Sequence, residues 1–331
     1  MKLIIPMAGI GKRMRPHTLT IPKPLLPVAG KPMVQHLVED IAATIKGQID
    51  EIGFVIGHFG KEVEDHLLNV AKSLGAKGKI FYQEEALGTA HAVMCAKEML
   101  EDNVIIAFAD TLFRGEFTVD TSHEGIIWVQ KVQDPRPFGV VKLDKQNIIT
   151  DFVEKPQEFI SDLAIIGIYY FKDGEYLKKE MQYLLDNNLK EKGEFQLTNA
   201  LENMKKKGTK FSVAQVSEWL DCGSKDNMLY TNKRLLECKP VPKIQPSQLV
   251  NSTVIQPCYI GEHTTIVNSV VGPFVSLGRH NHIENSVVSD SIIQDNSKIV
   301  NAVISNSMLG SYVQYIGTAN KINLGDYNQV T

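Results

Sequence analysis

The 331-residue sequence has few cysteines and no long apolar run. Its four cysteines show no C-x-x-C spacing, which speaks against a zinc site and a disulfide scaffold and suits a reducing compartment. No apolar stretch approaches the roughly 20 residues that span a bilayer, and residues 2–10 are too short for a signal peptide. We therefore expect a cytoplasmic protein without a membrane partner.

The sequence also lacks a strong charge imbalance. Its formal net charge is -3, with 35 lysines and arginines against 38 aspartates and glutamates. Non-specific nucleic-acid binding rests on a cationic surface, so no nucleic-acid partner is expected. The composition is globular, at 43% hydrophobic and 22% charged residues. The length exceeds what one core usually holds, which predicts two domains.

The chain up to Asp110 alternates between strand and helix patterns. Strand-like apolar runs lie at 2–6, 51–56, 79–82 and 103–109. Helical periodicity between these runs predicts an open, mostly parallel, Rossmann-like α/β sheet. Ligands bind such sheets beyond the carboxyl ends of the strands, so Gly9, Gln83 and Asp110 are expected on one rim.

The next part of the chain continues this pattern up to a proline-rich linker. Further strands are predicted at 125–132, 138–143, 148–154 and 163–171, and they would extend the sheet by hairpins. Helices are predicted at 90–100, 176–185, 197–206 and 226–238. The run KPVPKIQPS at 239–247 has three prolines and no apolar periodicity, so we interpret it as a linker.

The sequence after the linker repeats with a fixed period. The pairs Asn251-Ser252, Asn268-Ser269 and Asn285-Ser286 follow one another at intervals of 17 residues, and apolar positions within each interval recur about every six. Three short strands per coil predict a left-handed parallel β-helix of hexapeptide repeats over 248–318. The alternative is a sandwich of short strands. We predict domains at 1–240 and 241–331.

A glycine turn, a basic loop and a proline-flanked lysine follow the first strand. Gly9 and Gly11 allow the backbone to approach a ligand closely, and Lys12, Arg13 and Arg15 come next. Exposed N–H groups beside cations suit a polyphosphate. Lys23 lies between two prolines, which predicts an extended backbone and a fixed ammonium. Neither a Walker A loop nor a complete Rossmann glycine fingerprint is present.

The whole string is more specific than its parts. G-x-G-x-R-x-x-P followed by P-K-P-L-L-P-V-x-G-K-P-M resembles the signature of the sugar-1-phosphate nucleotidyltransferases. The resemblance implies a nucleotidyltransferase domain in which Arg13 and Lys23 are catalytic and Ala8, Gly9 and Gly11 bind the nucleotide. One departure is Lys12, which stands where the family usually has threonine.

Two distant aspartates each end an apparent strand. Asp110 lies in FADTLF and Asp221 in WLDCG. Two carboxylates on one rim suit Mg²⁺, which takes its remaining ligands from water and phosphate. Either residue alone is also typical of a turn or cap. Both strings resemble those around the family's metal-binding aspartates, which implies Mg²⁺ as cofactor.

The string QEEALGTAHAV predicts the site that reads the base. A side-chain amide at Gln83 and the backbone around Gly88 and Thr89 offer donors and acceptors at fixed positions. The alternative is a surface glutamine and a helix capped by Thr89. The resemblance of L-G-T-A to the family string favours base recognition without specifying the base.

The sugar-phosphate half of the site is expected farther along the chain. A carboxylate and a lysine side by side can hold both ends of a hexose 1-phosphate, and Glu154-Lys155 supply them. The resemblance adds Gly139, Gly167 and Glu194 to this half. The family's T-D-A string reads T-N-A here, with asparagine at position 199.

The resemblance to this family implies transfer of a nucleotidyl group from a nucleoside triphosphate to a sugar 1-phosphate. Glucose 1-phosphate with dTTP or UTP is favoured, and mannose-1-phosphate guanylylation is the alternative within the class. A noncatalytic nucleotide-sugar sensor is a second alternative. A third is a bifunctional enzyme whose β-helix carries an acyltransferase base at His280 or His282. We expect a homo-oligomer formed through the β-helix.

Overall fold

The structure is a computed structural model that describes residues 1–9, 11–45, 49–115 and 119–318. It divides into two compact units. The first comprises Met1–Leu26 and Pro32–Gly223, and the second comprises Pro27–Lys31 and the chain from Ser224 onward. Within the described ranges, no helix combines the length and the apolar character needed to cross a membrane.

Thirteen strands and five α-helices are described between Met1 and Gly223. The strands are β1 (Lys2–Pro6), β2 (Pro27–Val28), β3 (Lys31–Pro32), β4 (Glu51–Ile56), β5 (Lys77–Tyr82), β6 (Val104–Ala107), β7 (Thr111–Arg114), β8 (Gly125–Lys131), β9 (Gly139–Leu143), β10 (Ile149–Glu154), β11 (Leu163–Phe171), β12 (Phe211–Gln215) and β13 (Glu218–Asp221). The α-helices are α1 (Met33–Thr44), α2 (Lys61–Ser73), α3 (Thr89–Cys95), α4 (Gly174–Asp186) and α5 (Leu197–Lys206). Short 3₁₀ turns lie at Lys12–Met14, His17–Leu19, Lys23–Leu25 and Lys97–Met99.

The first unit is built on one mixed sheet. Its strand order is β10-β9-β11-β6-β1-β4-β5, and β8 lies between β11 and β12. The pairs β1-β4, β1-β6 and β4-β5 are parallel, whereas β11 pairs antiparallel with β6, β8 and β9. Leu3, Ile4 and Ile5 of β1 are fully buried, as expected for a strand covered on both faces. The predicted open α/β sheet is confirmed.

The structure differs from the predicted elements of this unit in the end of one helix and in a strand that was not predicted. The helix predicted over 90–100 stops at Cys95, where Ala96 leaves helical geometry and a 3₁₀ turn follows. Strand β12 was not predicted at all. Its Phe211 packs edge-on against Phe152 and Phe171, which come from other strands. Long-range packing of this kind is not visible in a five-residue pattern.

The second unit contains one helix and a coil of short strands. The helix is α6 (Lys225–Cys238), and a 3₁₀ turn lies at Pro246–Gln248. The strands are β14 (Leu249–Val250), β15 (Thr253–Val254), β16 (Cys258–Ile260), β17 (Thr265–Val267), β18 (Val270–Val271), β19 (Val275–Leu277), β20 (His282–Glu284), β21 (Val287–Val288), β22 (Ile292–Ile293), β23 (Lys298–Val300), β24 (Val303–Ile304), β25 (Met308–Leu309) and β26 (Gln314–Ile316).

Every third strand of this coil belongs to the same sheet. The sheets are β14-β17-β20-β23-β26, β15-β18-β21-β24 and β16-β19-β22-β25, and neighbouring strands in each are parallel. Cys258 pairs with Val275, whereas Ser276 pairs with Ile292, so the later coils are shorter by a single residue. The predicted left-handed parallel β-helix is confirmed, and the sandwich of short strands is wrong.

The repeated Asn-Ser pairs form two ladders along one corner of the β-helix. Asn251 Nδ2 donates to Asn268 Oδ1 at 2.9 Å, and Asn268 Nδ2 donates to Asn285 Oδ1 at 3.3 Å. Each of these asparagines has a left-handed φ of 47°, which asparagine tolerates better than most residues. Ser252 and Ser269 accept the N–H groups of residues 269 and 286. The repeat seen in the sequence therefore reflects corner geometry.

Helix α6 and the segment 27–31 are joined to the β-helix through one asparagine. Asn232 Oδ1 accepts the N–H of Ala29 at 2.9 Å and the hydroxyl of Ser276 at 2.6 Å, while Asn232 Nδ2 donates to Phe274 O at 3.1 Å. A Cβ at Gly30 would lie 2.3 Å from the Tyr259 ring. The latter half of the signature thus has a packing role. A functional domain boundary between 240 and 241 stays a prediction.

We expect Asn268→Ala to lower the free energy of unfolding by about 1–2 kcal/mol. The substitution removes two side-chain hydrogen bonds of the asparagine ladder and places alanine at a left-handed φ. Asn268→Gly is the matched control, since it loses the same bonds but tolerates the backbone angle. Chemical denaturation of the full chain measures both. Equal stability of Asn268→Ala and the parent would contradict the role assigned to the ladder.

Candidate active site

A cleft of about 390 Å³ lies where the chain leaves β1, β5 and β6. This volume is within the range of small-molecule sites. Ten of the site residues predicted from the sequence line this cleft. They come from the glycine turn, the proline-flanked lysine, the L-G-T-A string and two acidic segments. They are Ala8, Gly9, Gly11, Arg13, Lys23, Gln83, Gly88, Thr89, Asp110 and Glu194. The structure therefore brings Gly9, Gln83 and Asp110 to one rim, as the strand-end argument expected.

Gly11 and Lys23 form one closely packed unit beside the cleft. Gly11 has a left-handed φ of 66°, and a Cβ there would lie 2.7 Å from Lys23 Cβ. The hydroxyl of Thr18 donates to Gly11 O at 2.9 Å and braces the turn. Only glycine combines this backbone angle with room for the lysine stem. Ile10, part of the same turn, lies outside the described residues.

Lys23 does not have the extended backbone that its flanking prolines predicted. It begins a 3₁₀ turn, in which Leu25 N donates to Pro22 O at 2.9 Å and Leu26 N donates to Lys23 O at 3.1 Å. These two bonds outweigh the usual preference of a residue before proline for extended geometry. The expected restraint on the side chain arises from burial, since Lys23 is only 7% exposed.

The Lys23 ammonium is paired with the first predicted metal ligand. Lys23 Nζ lies 3.0 Å from Asp110 Oδ2, and the Asp110 side chain is half-exposed. A buried ammonium needs such a partner, because its desolvation is otherwise costly. Lys12 and Arg13 also line the cleft, and neither has an ion-pair partner within the described ranges. Arg15 is not among the lining residues.

The segments that carry the two predicted metal-binding aspartates come together through strands β7 and β13; Asp110 lines the cleft, whereas Asp221 is not among its lining residues. These strands pair antiparallel with Asp221 opposite Thr111, and Cys222 N donates to Asp110 O at 3.2 Å. Gly223 lines the cleft, and a Cβ there would lie 3.0 Å from both carboxylate oxygens of Asp221. Two segments that are distant in sequence are thus neighbours in space.

The donor set fits a hard divalent cation. Asp110 and Asp221 supply carboxylate oxygens, the ligands that Mg²⁺ prefers, and the Asp110 carboxylate is accessible from the cleft. In the part of the chain that the structure describes, no group of three or more His, Cys, Asp and Glu residues forms a metal cage.

Backbone hydrogen bonds join the L-G-T-A turn to the segment that leads into α5. Phe195 N donates to Leu87 O at 2.8 Å, and Ala90 N donates to Phe195 O at 2.9 Å. Gly88 has a φ of 116°, and a Cβ there would lie 2.5 Å from Phe195 O. Gly88 is therefore required by packing as well as by its backbone angle.

Thr89 does not cap its own helix, which was the alternative to a role in base recognition. Gly88 is the N-cap of α3 and makes no side-chain capping bond. The Thr89 hydroxyl instead accepts the N–H of Leu197 at 2.8 Å and lies 3.2 Å from Gln196 Oε1. It satisfies a free N–H at the start of α5, a helix that lies 108 positions away in sequence.

The residues predicted for the sugar phosphate form a second group. Gly139 and Glu154 are paired across β9 and β10, and a Cβ at position 139 would lie 3.0 Å from Glu154 Oε2. Lys155 Nζ lies 3.3 Å from Glu154 Oε1. Gly167 lies in an irregular part of β11 with a φ of 86° and accepts the N–H of Phe108 at 2.9 Å. Of the predicted sugar residues, only Glu194 is among those lining the cleft.

Burial controls the protonation of two side chains near these groups. Burial, reinforced by the negative charge of Glu154, raises the pKa of Tyr169 still further above neutral pH. Burial lowers the pKa of His91, and Glu85 opposes that effect only in part. His91 is consequently neutral at physiological pH. Its ring lies 3.1 Å from the Gln83 amide.

Sequence reasoning missed several residues that line the cleft. Phe108 and Ala92 supply apolar wall, and Phe108 also packs edge-on against Tyr169. Ala92 lies on the same helical face as Thr89, so helical spacing was an available signal. Thr198 Oγ1 and Trp219 Nε1 are buried without hydrogen-bond partners in the described structure. No sequence pattern predicted that these two buried atoms would lack hydrogen-bond partners.

The β-helix histidines considered for acyl transfer have other contacts. His280 stacks on His263 with 4.8 Å between ring centroids. His282 Nε2 lies 3.1 Å from Glu284 Oε2, and its Nδ1 lies 2.9 Å from the Thr265 hydroxyl. These contacts belong to the stacking of the coils, since Thr265 and His282 are register partners in neighbouring strands.

Comparison with known proteins decides the family. The model of the family described as "Nucleotidyl transferase" matches residues 2–237, well over half of the chain. The chain belongs to the nucleotidyl transferase family. It is therefore an enzyme of that class, and the predicted resemblance is confirmed.

Curated relatives of this nucleotidyltransferase fall into two groups by coverage. The low-salt glycan biosynthesis nucleotidyltransferase Agl11 of Haloferax volcanii is 32% identical over 251 residues, which are 73% of this chain and 68% of that protein. The bifunctional protein GlmU of Methanocaldococcus jannaschii is 32% identical over 237 residues, 72% of this chain and 55% of GlmU. The glucose-1-phosphate thymidylyltransferase of Streptomyces griseus is 29% identical over 99% of both chains. The chain thus spans little more than half of that GlmU protein.

Solved structures agree with the fold. A putative glucose-1-phosphate thymidylyltransferase from Bacillus anthracis, in complex with sucrose, superposes with a TM-score of 0.59 at 24% identity and covers 70% of this chain and 93% of its own. A UDP-glucose pyrophosphorylase complexed with UDP-glucose gives 0.59 at 22% identity, with 71% and 98% coverage. At such identities the likeness concerns the fold alone.

The packing around the glycine turn yields a matched pair of tests. We expect Gly11→Ala to lower the free energy of unfolding by about 1–3 kcal/mol, because the new methyl group meets Lys23 and the φ of 66° strains it. Gly9→Ala should change stability by less than about 0.5 kcal/mol, since its Cβ would meet nothing within 4 Å. Chemical denaturation measures both. Equal effects of the two substitutions would contradict the described turn geometry.

Proposed function

We propose that this nucleotidyltransferase transfers the nucleotidyl group of a nucleoside triphosphate to a sugar 1-phosphate and releases pyrophosphate. Glucose 1-phosphate with dTTP or UTP is the favoured substrate pair. The observation that carries the proposal is the Lys23–Asp110 ion pair in a cleft that also contains the glycine turn and Gln83. Triphosphate charge, metal ligand and base-reading amide would then share one site in a chain of this family.

The reaction needs positioning and charge stabilisation more than a protein nucleophile. A phosphate oxygen of the sugar 1-phosphate forms a bond to the α-phosphorus of the triphosphate, and the bond from that phosphorus to the bridging oxygen breaks. Pyrophosphate leaves with the electron pair of that bond. The attacking oxygen is already anionic at neutral pH, so no general base is required.

The cations of the chain supply most of the groups that such a reaction requires. Arg13 and Lys23 would neutralise the triphosphate and the charge that develops on the leaving pyrophosphate. Lys12 would add to the positive electrostatic potential of the cleft. Lys155, beside Glu154, would hold the phosphate of the incoming sugar. Asp110 and Asp221 would hold a divalent ion, for which we propose Mg²⁺; when bound it neutralises phosphate charge.

The choice of substrates rests on coverage by relatives and on the predicted base-reading residues. Two relatives that align over essentially the whole chain are named glucose-1-phosphate thymidylyltransferases. Matches to GlmU proteins cover 72% to 77% of this chain and 55% to 60% of those proteins. This difference favours a single nucleotidyltransferase activity over a bifunctional enzyme with an acyltransferase centre in the β-helix. Assembly of subunits through the β-helix stays a prediction.

A substrate grid tests the proposal directly. Pyrophosphate release is measured with Mg²⁺ for glucose, mannose, galactose and N-acetylglucosamine 1-phosphates, each combined with dTTP, UTP, ATP and GTP. We expect the fastest release with glucose 1-phosphate and dTTP or UTP. Fastest release with mannose 1-phosphate and GTP would identify a guanylyltransferase. No release in any combination, with the protein folded, would favour a noncatalytic sensor.

A second test concerns the acidic pair. We expect Asp110→Asn and Asp221→Asn each to reduce turnover by about 10²- to 10³-fold, since each removes an anionic ligand for the cation that offsets phosphate charge. Asp65→Asn is the control, because Asp65 pairs with Lys61 and lies on α2, not at the paired ends of β7 and β13. Steady-state rates over a range of Mg²⁺ concentrations measure the effect. An Asp110→Asn enzyme as active as the parent would refute metal-dependent catalysis at this site.

A further inference from the structure

The side-chain amide of Gln83 is held by two acceptors. Gln83 Nε2 lies 3.1 Å from His91 Nδ1 and donates to Gly88 O at 3.4 Å. A primary amide has two N–H donors, so both are used within the protein. No described residue donates to Gln83 Oε1. The carbonyl oxygen is thus the group that remains for a ligand in the cleft, which Gln83 lines.

The orientation of this amide follows from the chemistry of its partners. Gly88 O is a carbonyl and can only accept, so reversing the amide would set two oxygens against each other. His91 accepts at Nδ1 when its ring is neutral and its proton is on Nε2. Burial lowers the pKa of His91, which favours that neutral ring at physiological pH. The contact to His91, at 3.1 Å, is the shorter of the two, against 3.4 Å to Gly88 O.

The remaining oxygen distinguishes bases by the hydrogen-bonding character of one position. Uracil and thymine carry an N–H at ring position 3, which can donate to a carbonyl oxygen. Cytosine has a lone pair at the same position, and adenine has one at its position 1. An acceptor that meets a lone pair in a closed site is left unsatisfied, and such mismatches discriminate between ligands more strongly than a lost apolar contact.

We propose that His91 is a positioning residue that fixes the Gln83 amide with its oxygen toward the base, so that the cleft selects nucleotides whose base presents an N–H there. This inference rests on the proposed function, because it assumes that Gln83 faces the base. His91 is not among the residues that line the cleft. Its place in the first turn of α3, directly after the L-G-T-A turn, lets it act through Gln83.

The test compares UTP with CTP, which differ in the groups at positions 3 and 4 of the same ring. Binding of each nucleotide to the full-length protein is measured by calorimetry, and pyrophosphate release is measured in parallel with glucose 1-phosphate. His91→Leu removes the acceptor while keeping an apolar side chain of similar size. We expect its preference for UTP over CTP to fall about tenfold, the scale of one well-placed base contact.

His91→Asn is the matched variant that separates positioning from packing. Its Oδ1 occupies nearly the place of Nδ1 and can accept from Gln83, although the ring is lost. We expect its UTP preference to remain within about threefold of the parent, since one acceptor replaces another. His91→Met serves as a second variant without a strong acceptor if His91→Leu does not fold, and thermal unfolding of each variant checks this.

The outcomes separate this inference from the proposed function. An unchanged UTP preference in His91→Leu and His91→Met, or an equal loss in His91→Asn, would overturn the role of His91. A parent protein that binds CTP as well as UTP would do the same. Selective UTP binding that depends on His91, without pyrophosphate release from any nucleotide, would support the inference while refuting the proposed reaction.

Discussion

The buried ammonium of Lys23 imposes the constraint around which the cleft is arranged. A lysine that is 7% exposed must be paired, and its partner Asp110 lies 87 positions away in sequence, just beyond the end of a different strand. Gly11 makes the approach of the lysine stem possible, because any side chain there would meet it. Thr18 braces the same turn. These contacts therefore hold three segments together: the glycine turn, the 3₁₀ turn of Lys23 and the end of β6.

A second network of hydrogen bonds joins the L-G-T-A turn to the start of α5. Leu87 and Ala90 make backbone bonds to Phe195, and the Thr89 hydroxyl accepts from Leu197. Gln196 Nε2 donates to Glu194 Oε2 at 3.0 Å, so the segment that leads into α5 also positions a carboxylate that lines the cleft. These hydrogen bonds therefore connect the L-G-T-A turn with the segment that carries Glu194, although the two lie far apart in the sequence.

The β-helix is stabilised by a different principle, the repetition of one contact. Its interior is a column of apolar residues, among them Ile266, Ile283 and Ile299, all fully buried. Its corners repeat the asparagine and serine bonds from one coil to the next. In such a coil each rung depends on its neighbours. The coil becomes shorter by a single residue between Val288 and Ile292, and the turn there absorbs the change without breaking the sheets.

Short-range signals in the sequence were enough to predict the architecture. Apolar runs such as β1 and β4, the helical spacing of α5, and the repeat of the β-helix are local patterns whose physical causes act within a few residues or one coil. Strand-end logic also placed Gly9, Gln83 and Asp110 near one another. The family signature then added chemical roles that no periodicity carries.

Tertiary structure decided what each of these side chains bonds to. The 3₁₀ geometry of Lys23, the partner of Thr89 at the start of α5, and the contact between Gln83 and His91 were not predicted. The first two depend on burial and on bonds between segments that meet only after folding. The third joins residues that are close in sequence, yet its meaning depends on a partly buried, neutral imidazole. The sequence by itself determined most of the strands and helices and placed Gly9, Gln83 and Asp110 at the cleft, because these follow from local pattern and from strand ends. The tertiary structure decided the addition of β12, the apolar wall at Phe108 and Ala92, and the orientation of each group, because these depend on long-range contacts and burial.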